Sequence, residues 1–567
     1  MYDVIIIGAG PAGLMAGMLL KNQNANFMIL EKGKKHARRS INNSEDVSFG
    51  CGGAGLFSDG KLSYAPSATH LWNYLNPKLL KTAYENVSEL FLDNGFKLDE
   101  WDNDWISGNE NETTDSYIKK YKSVYLTKPF RDSMIDFFEK KLEDHLRTNA
   151  TVKNISYDNT NNTYIVRDGN NEYSTQNVVV ATGKISIWDL LGDNIDKNGY
   201  FQAEMGVRAE VNKEDSLIVE DKCLDYKKIR QIDKNSEFRT FCYCKEGKII
   251  RSRYGEHISY NGDGSTNKES GLSNIGLLVR AKEDSVYLEE MKKTFQDQDI
   301  EKDIMLQRYG VDEFIIGSKT DSIIRESFQE LFSSEARGHV VGPEIEKYGI
   351  YPYLNKELML QKGLYFIGDS CSQFRGLLAA FVSGAYVANE IEEDRKTRIE
   401  LWKKQYGIKQ SSMKQLKTVF TAQSKNNFFC KDAICEYVFN NGYLPVNPFN
   451  VFGYFLGDRV ERDLVRRGNN QLIRMCDELW IFGIISDGVL FEIVSAIEQR
   501  KKIRFFTCDS RASDIKELDI KNITFEPEVH AKQIKKQDII EFILNNGNIT
   551  DQFNYTQLSL YNMDQIK

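Results

Sequence analysis

The sequence predicts an α/β protein in three parts. These are a discontinuous Rossmann-type dinucleotide-binding domain, an α+β domain inserted into it, and a C-terminal α/β unit built on a parallel sheet. Three observations predict this. Over residues 2–31 a strand, a glycine run, a helix and a second strand ending in an acid follow in order. Two later strand–glycine segments, at 177–183 and 363–369, supply the remaining pieces of such a domain. Beyond residue 416, strand-like apolar runs alternate with helical ones, the pattern of β–α units.

Composition narrows the class. With 41% hydrophobic and 28% charged residues among 567, wholesale disorder and fibrous rods are excluded. Only 9 prolines are present, so the domains are joined by short connections or helices. A net charge of −8 lacks the global footprint of a nucleic-acid binder, and no nucleic-acid partner is expected. No run of about 18 apolar residues marks a membrane span. Met1-Tyr2-Asp3 lacks the basic start of a signal peptide. The 9 cysteines are odd in number and scattered, which fits a reducing cytoplasm better than a disulfide scaffold. Cys242-Tyr243-Cys244 is their only close pair, and a single CxC without further ligand pairs predicts no metal site.

Tyr2–Ile7 is a β-branched run, read as a buried strand. In Gly8-Ala9-Gly10-Pro11-Ala12-Gly13, Gly8 makes the tight turn, Gly10 lets backbone approach a pyrophosphate, and Gly13 lets helix and strand pack closely. The helix from Leu14 then directs unpaired N–H groups at the phosphates. Asn26–Leu30 is the second strand, and Glu31, 21 residues after Gly10, stands where a ribose-binding acid belongs, with Lys32 beside it. Pro11 and Ala12 inside the glycine run resemble the FAD-binding form of the motif.

Asn177–Gly183 reads as a strand ending in Ala-Thr-Gly, and Gly363–Asp369 as a strand ending in Gly-Asp, followed by Gly376-Leu377 and a helix to Ile391. This arrangement resembles two-part FAD folds of the glutathione-reductase type. The resemblance implies that Gly368 and Asp369 contact the ribityl–phosphate region, and that the helix after Gly376 and Leu377 points its N-terminus at the isoalloxazine. Gly183 joins the expected cofactor contacts. The FAD domain is therefore expected from residues 1–70, 120–200 and 335–395, with a helical insertion at 71–119 and an inserted substrate domain at 201–334. A connector at 396–415 leads to the last unit, 416–567.

The loop Gly50–Leu62 carries Gly50, Gly52, Gly53 and Gly55, then Ser58 and Lys61. Glycines there permit close approach of backbone to a ligand. Gly53, Ala54, Gly55 and Ser58 are expected at the cofactor, and Lys61 as a cation supporting the reduced flavin. Cys51, Cys242 and Cys244 are read as small buried side chains rather than a redox set. Lys248–Tyr260, carrying Arg251, Arg253 and His257, is read as one strand of the inserted domain. The Gly50–Leu62 motif resembles a signature of a bacterial family of FAD-dependent dehydrogenases. Gly206–Glu210, Arg239–Cys244 with Gly247, Asn261-Gly262 and Gly363–Tyr365 agree with it. The resemblance spans about residues 1–395 and implies fold and FAD without a substrate. No second glycine motif in strand context follows, so NAD(P)H would bind transiently, if at all.

In the last unit, strands are expected at Leu416–Ala422, Tyr443–Pro448, Glu478–Gly483 and Lys502–Phe506. Helices are expected at 431–440, 458–474, from Ser486 to about Arg500, and near 537–546, the last stopped by Asn545–Asn548. Asn469-Asn470, Cys476–Trp480, Asp487-Gly488 and Glu492 remotely resemble nucleoside 2-deoxyribosyltransferases. The resemblance implies that Glu492 is a nucleophile on the sugar, with Asp477 its partner carboxylate and Asp487 at the helix start. Two functions stay open. One is an FAD-dependent oxidoreductase transferring hydride, fused to a unit that binds or cleaves a nucleoside or nucleotide. The other is a flavin-containing nucleotide sensor or defence-type interaction protein.

Overall fold

The computed structural model describes residues 1–106, 115–169, 171–218, 224–264, 270–297, 301–307, 315–406, 416–453, 459–531 and 535–544. The expected stop Asn545–Asn548, Cys223 and residues 407–415 of the connector lie outside them. The chain divides into two compact units, Met1–Gly407 and Ile408–Lys567.

Among the described residues the first unit holds two large sheets and two two-stranded ones. In the first, strands Leu364–Phe366, Glu172–Val180, Tyr2–Ile7, Phe27–Glu31 and Leu146–Thr148 lie side by side and parallel. The antiparallel hairpin Asn154–Asp158/Thr163–Arg167 extends Glu172–Val180. Val4, Ile5 and Ile6 are wholly buried, as befits a central parallel strand covered on both faces. Their register, Ile7 beside Leu30 and Val180, brings three strand ends together at the glycine turn. One hydrophobic core joins this sheet to the helices Pro11–Asn22, Pro77–Asp93, Lys128–Lys141 and the first half of Leu377–Gln405.

That last helix is longer than the sequence reading allowed. The charge-dense stretch read as a connector is its solvated half, continuous to Gln405. Pairs such as Arg395–Glu392, Arg398–Asp394 and Lys403–Glu400, at i,i+3 and i,i+4 spacing, run along it.

The second sheet is antiparallel and seven-stranded, ordered Lys302–Gln307, Arg337–Pro352, Gly199–Asn212, Leu272–Lys282, Ser236–Lys245, Lys228–Asp233 and Ser116–Ile118. Period-two alternation splits its strands by chemistry. In Gly199–Asn212, Ala203, Met205, Val207, Ala209 and Val211 join a core with the helices Leu288–Gln296 and Ser318–Leu331. Gln202, Glu204 and Arg208 share the opposite face and are buried there without apolar company on their own strand. Lys248–Tyr260, expected as one strand, is a hairpin, Lys248–Tyr254 paired with His257–Asp263; Gly255 in the turn has a φ of +61°.

The second unit has a five-stranded sheet, ordered Tyr443–Val446, Lys417–Gln423, Glu478–Phe482, Lys502–Phe506 and Glu517–Leu518. The first four strands are parallel and the last is antiparallel. Helices Lys431–Asn440, Arg462–Met475, Asp487–Glu498 and Lys536–Leu544 cover it, with a separate apolar cluster on each face.

Candidate functional site

In the first unit a cavity of about 630 Å³ opens where the parallel sheet's glycine turn meets the polar face of the antiparallel sheet. All the residues that the sequence assigns to the cofactor, Gly13 excepted, line it. From the first turn come Gly8, Gly10, Pro11 and Ala12; from the second strand Glu31 and Lys32; from the glycine loop Gly53, Ala54, Gly55 and Ser58; from the later segments Gly183, Gly368, Asp369, Gly376 and Leu377. Gly13 does something else. A Cβ there would fall closer than 3.0 Å to the Gly8 carbonyl oxygen, so it is a packing glycine rather than a cofactor contact. Gly8 has a φ of +106°, and a Cβ on it would meet the Ala181 carbonyl at less than 3.0 Å. Gly10 differs from both: a Cβ there would meet only Gly53 Cα, at 3.9 Å.

These residues fit a dinucleotide. The helix Pro11–Asn22 starts without a side-chain cap, with proline in its first turn, leaving backbone donors at the cavity. Asp369 Oδ1 is buried and makes no hydrogen bond among the described residues, although the residue lines the cavity. Such an atom calls for a ligand donor. Glu31, expected as a ribose acid, serves the fold itself. Its carboxylate accepts from the backbone N–H of Ala9 at 2.7 Å, Gly33 at 2.8 Å and Gly50 at 2.9 Å. It therefore ties the glycine turn to the glycine loop, with about one acceptor position left on a residue of the cavity wall. The Ser58 hydroxyl donates to Gly55 O at 2.9 Å and shapes the loop it sits in.

Lys61 lines the cavity, but not as a free cation. It is 7% exposed, lies 2.8 Å from Asp59 Oδ2 and 3.8 Å from Asp225 Oδ1, and donates to Tyr243 O. Burial alone would lower its pKa, yet Asp59 and Asp225 hold it well above the ordinary lysine value. Its charge is therefore answered locally by Asp59 and Asp225, while it keeps the place on the cavity wall that the sequence expected of it. Cys242 also lines the cavity. It sits at a bulge with φ +48°, its Sγ 3.9 Å from Cys244 Sγ and 3.2 Å from Asp59 Oδ2. Asp59, Cys242 and Cys244 bring three ligand-type atoms together. The Lys61 ammonium already occupies the shared carboxylate, so a metal ion there would face a cation at close range. Beneath them Arg208 makes a two-pronged pair with Glu344, 2.7 and 3.1 Å, and donates to Asn274 at 2.8 Å and Cys242 O at 3.1 Å.

The sequence reading missed Arg208, Asp225, Lys227, Thr240, Phe241, Arg375 and Glu346 as cavity walls. The one available signal was polar residues recurring every second position in Gly199–Asn212. Of the hairpin's candidates, Arg253 reaches the cavity and donates to Ser44 and Glu256, whereas Arg251 pairs with Glu301.

In the second unit the three expected acids do not converge. Asp477 precedes its strand and accepts from Thr418 N at 2.7 Å and Thr418 Oγ1 at 2.9 Å. It stands at the strands' N-terminal edge, whereas Asp487 opens the helix that follows the C-terminal edge. Asp477 is thus a brace and not the partner of Glu492. Burial pushes the Glu492 carboxyl up to about 8, and Asn469 Nδ2 donates to it at 2.7 Å. Asp487 lies 3.8 Å from Arg466.

Comparison with known proteins follows this division. Residues 1–43 match the family described as FAD binding domain, and residues 416–506 match a domain of unknown function, DUF7768. No curated protein matches. Among solved structures, a flavoprotein/dehydrogenase from Cytophaga hutchinsonii is 14% identical with a TM-score of 0.31, covering 70% of this chain and 79% of its own. Cyclohexanone monooxygenase from Rhodococcus sp. Phi1, bound to NADP+, is 19% identical with a TM-score of 0.19, covering 33% of this chain. The chain spans only 26% of that enzyme's length, and the same share of FAD-bound OTEMO, to which it is 14% identical with a TM-score of 0.19. The first unit is similar over its first 43 residues to FAD-binding domains, and FAD is its cofactor. For the second unit the matched family carries no function.

Proposed function

We propose that the protein is an FAD-dependent oxidoreductase acting on a small molecule by hydride transfer. The observation that carries this reading is the single cavity in which the glycine turn, the glycine loop and the Gly368–Leu377 segment meet the charged face of a second sheet. When bound, FAD supplies a two-electron carrier that accepts or donates hydride. The chain's residues do the rest. The start of the helix Pro11–Asn22 would hold the pyrophosphate, Glu31 the ribose and Asp369 a hydroxyl of the linking chain. The Lys61–Asp59–Asp225 cluster and the Arg208–Glu344 pair fix the wall opposite. NAD(P)H is proposed as a transient reductant. Anaerobic addition of NADH or NADPH to the purified protein tests this: bleaching of the flavin band supports a nicotinamide donor, and an unchanged band assigns the electrons to another source.

For the second unit we infer binding of a nucleoside- or nucleotide-type ligand rather than cleavage. The supporting observation is Glu492. It is buried and accepts from Asn469 at 2.7 Å, while Asp477 stands at the other edge of the sheet, so the paired carboxylates that cleavage needs are not assembled, and burial raises the Glu492 carboxyl against serving as an ionised nucleophile. Calorimetry with a nucleoside and nucleotide panel, followed by product analysis, tests it. Saturable binding without released base is expected. A released base would restore the transferase reading, and no binding by any member would remove the nucleoside reading.

A further inference from the structure

Beside the flavin cavity, sharing Lys227 and Arg375 with it, lies a second cavity of about 650 Å³. Its wall carries seven lysines and arginines and one carboxylate, Glu283. We propose that it is the anion subsite for the substrate, taking a small organic molecule with two or more negative charges, phosphate or carboxylate, and holding it next to the flavin cavity. The redox part of this assignment rests on the oxidoreductase reading above; the anion site does not.

The alternating strands explain how the charges come to be buried. Glu204, wholly buried, accepts from Arg280 at 2.8 Å and Arg375 at 2.9 Å, and lies 3.8 Å from Arg239. Glu237 answers Arg239 at 3.1 Å and Arg280 at 3.0 Å. These two carboxylates, with Asp369 at 3.4 Å and Glu346 at 3.7 Å from Arg375, serve the three arginines. None of the four comes within ion-pair distance of a lysine on this wall. Among the described residues, none of Lys119, Lys227, Lys282 and Lys347 forms an ion pair. Lys347, 1% exposed, donates only to neutral groups among the described residues, Ser372 and Gln202. Arg239 is 7% exposed, and its Nε finds no acceptor among the described residues.

Buried cations in excess of buried anions are unfavourable unless a ligand balances them. Burial, with Arg280 and Arg375 nearby, pushes Lys347 down to about 7, and burial pushes Lys119 down to about 8. In both, burial is the larger cause and the neighbouring arginines the smaller. Arginine forks and ammonium groups together suit phosphate and carboxylate oxygens. Tyr200 and Tyr353, ring centroids 5.0 Å apart, give the same cavity an aromatic wall for the uncharged body of the molecule.

The test uses the full chain with FAD bound. Inorganic pyrophosphate and citrate are titrated calorimetrically at physiological ionic strength, and FAD content is read from the absorption spectrum of the same sample. Saturable one-to-one binding of at least one probe is expected; tighter pyrophosphate points to a phosphate ester and tighter citrate to a polycarboxylate. Arg239→Gln should weaken binding roughly tenfold, and Lys282→Gln, at an exposed position, should weaken it severalfold, both with FAD retained. If Arg239→Gln does not fold, Lys282→Gln and Lys119→Gln decide. A yellow protein that binds neither probe, or glutamine variants that bind as the parent does, would overturn the anion site and leave the flavin reading intact. A colourless protein that binds pyrophosphate would do the reverse.

Discussion

At the scale of single residues, the three motif glycines separate folding from cofactor binding. Gly8 and Gly13 face backbone oxygens at distances that no side chain tolerates, so Gly8→Ala and Gly13→Ala should destabilise the first unit itself. At Gly10 a Cβ would meet only Gly53 Cα, at an ordinary contact distance of 3.9 Å. Gly10→Ala should therefore leave the thermal transition of the FAD-free protein unchanged within about 1 °C while lowering FAD affinity at least about tenfold. Melting curves with FAD removed, set beside FAD titrations, check this. Equal damage by Gly10→Ala to the FAD-free fold would contradict it. Lys61 makes a second case. Because it is buried against Asp59, Lys61→Ala leaves an unpaired carboxylate and should cost about 3–5 kcal/mol of stability. The double variant Lys61→Ala, Asp59→Ala should recover part of that loss. A Lys61→Ala protein as stable as the parent in chemical denaturation would show that the pair is solvated.

At the scale of elements, the helices Arg462–Met475 and Asp487–Glu498 meet across Asn469 and Glu492, and that contact has a pH signature. A carboxyl at about 8 in the fold and near 4.5 in the unfolded chain binds its proton more tightly when folded. The stability it lends is therefore complete below about pH 4.5 and is lost as pH rises through 8. Glu492→Gln, which keeps the hydrogen bond and removes the ionisation, should stabilise the second unit by on the order of a few kcal/mol at pH 8.5 and by little at pH 4. Thermal scans of the full chain at both pH values measure it; an equal effect at both would place Glu492 in solvent. The sequence made these two helices legible, the first through its acids and arginines and the second through its Ser486-Asp487-Gly488 start, and the parallel strands of this unit to within a residue or two. It did not reveal that Asp477 and Asp487 lie at opposite ends of the sheet. Strand direction relative to a residue's place before or after the strand settles that, and the resemblance had overridden it. The long helix Leu377–Gln405 was cut short for a related reason: a charged stretch without a buried face reads as linker unless its i,i+3 and i,i+4 pairs are counted.

At the scale of the whole molecule, the glycine turn, its second strand and the returning Gly-Asp segment were legible because close backbone packing demands particular residues. The polar face of the antiparallel sheet was not, since Glu204, Arg208, Arg239 and Lys347 are distant in sequence and are brought together only by strand register. Two units with separate cores should give two calorimetric transitions, and added FAD should raise one of them only, by an amount that grows with its free concentration. The central claim, that the first cavity holds FAD, is tested most directly by the absorption spectrum of the purified full chain before and after denaturation. The account predicts a yellow protein that releases FAD in a one-to-one ratio with the chain. A colourless protein that takes up no added FAD would contradict it.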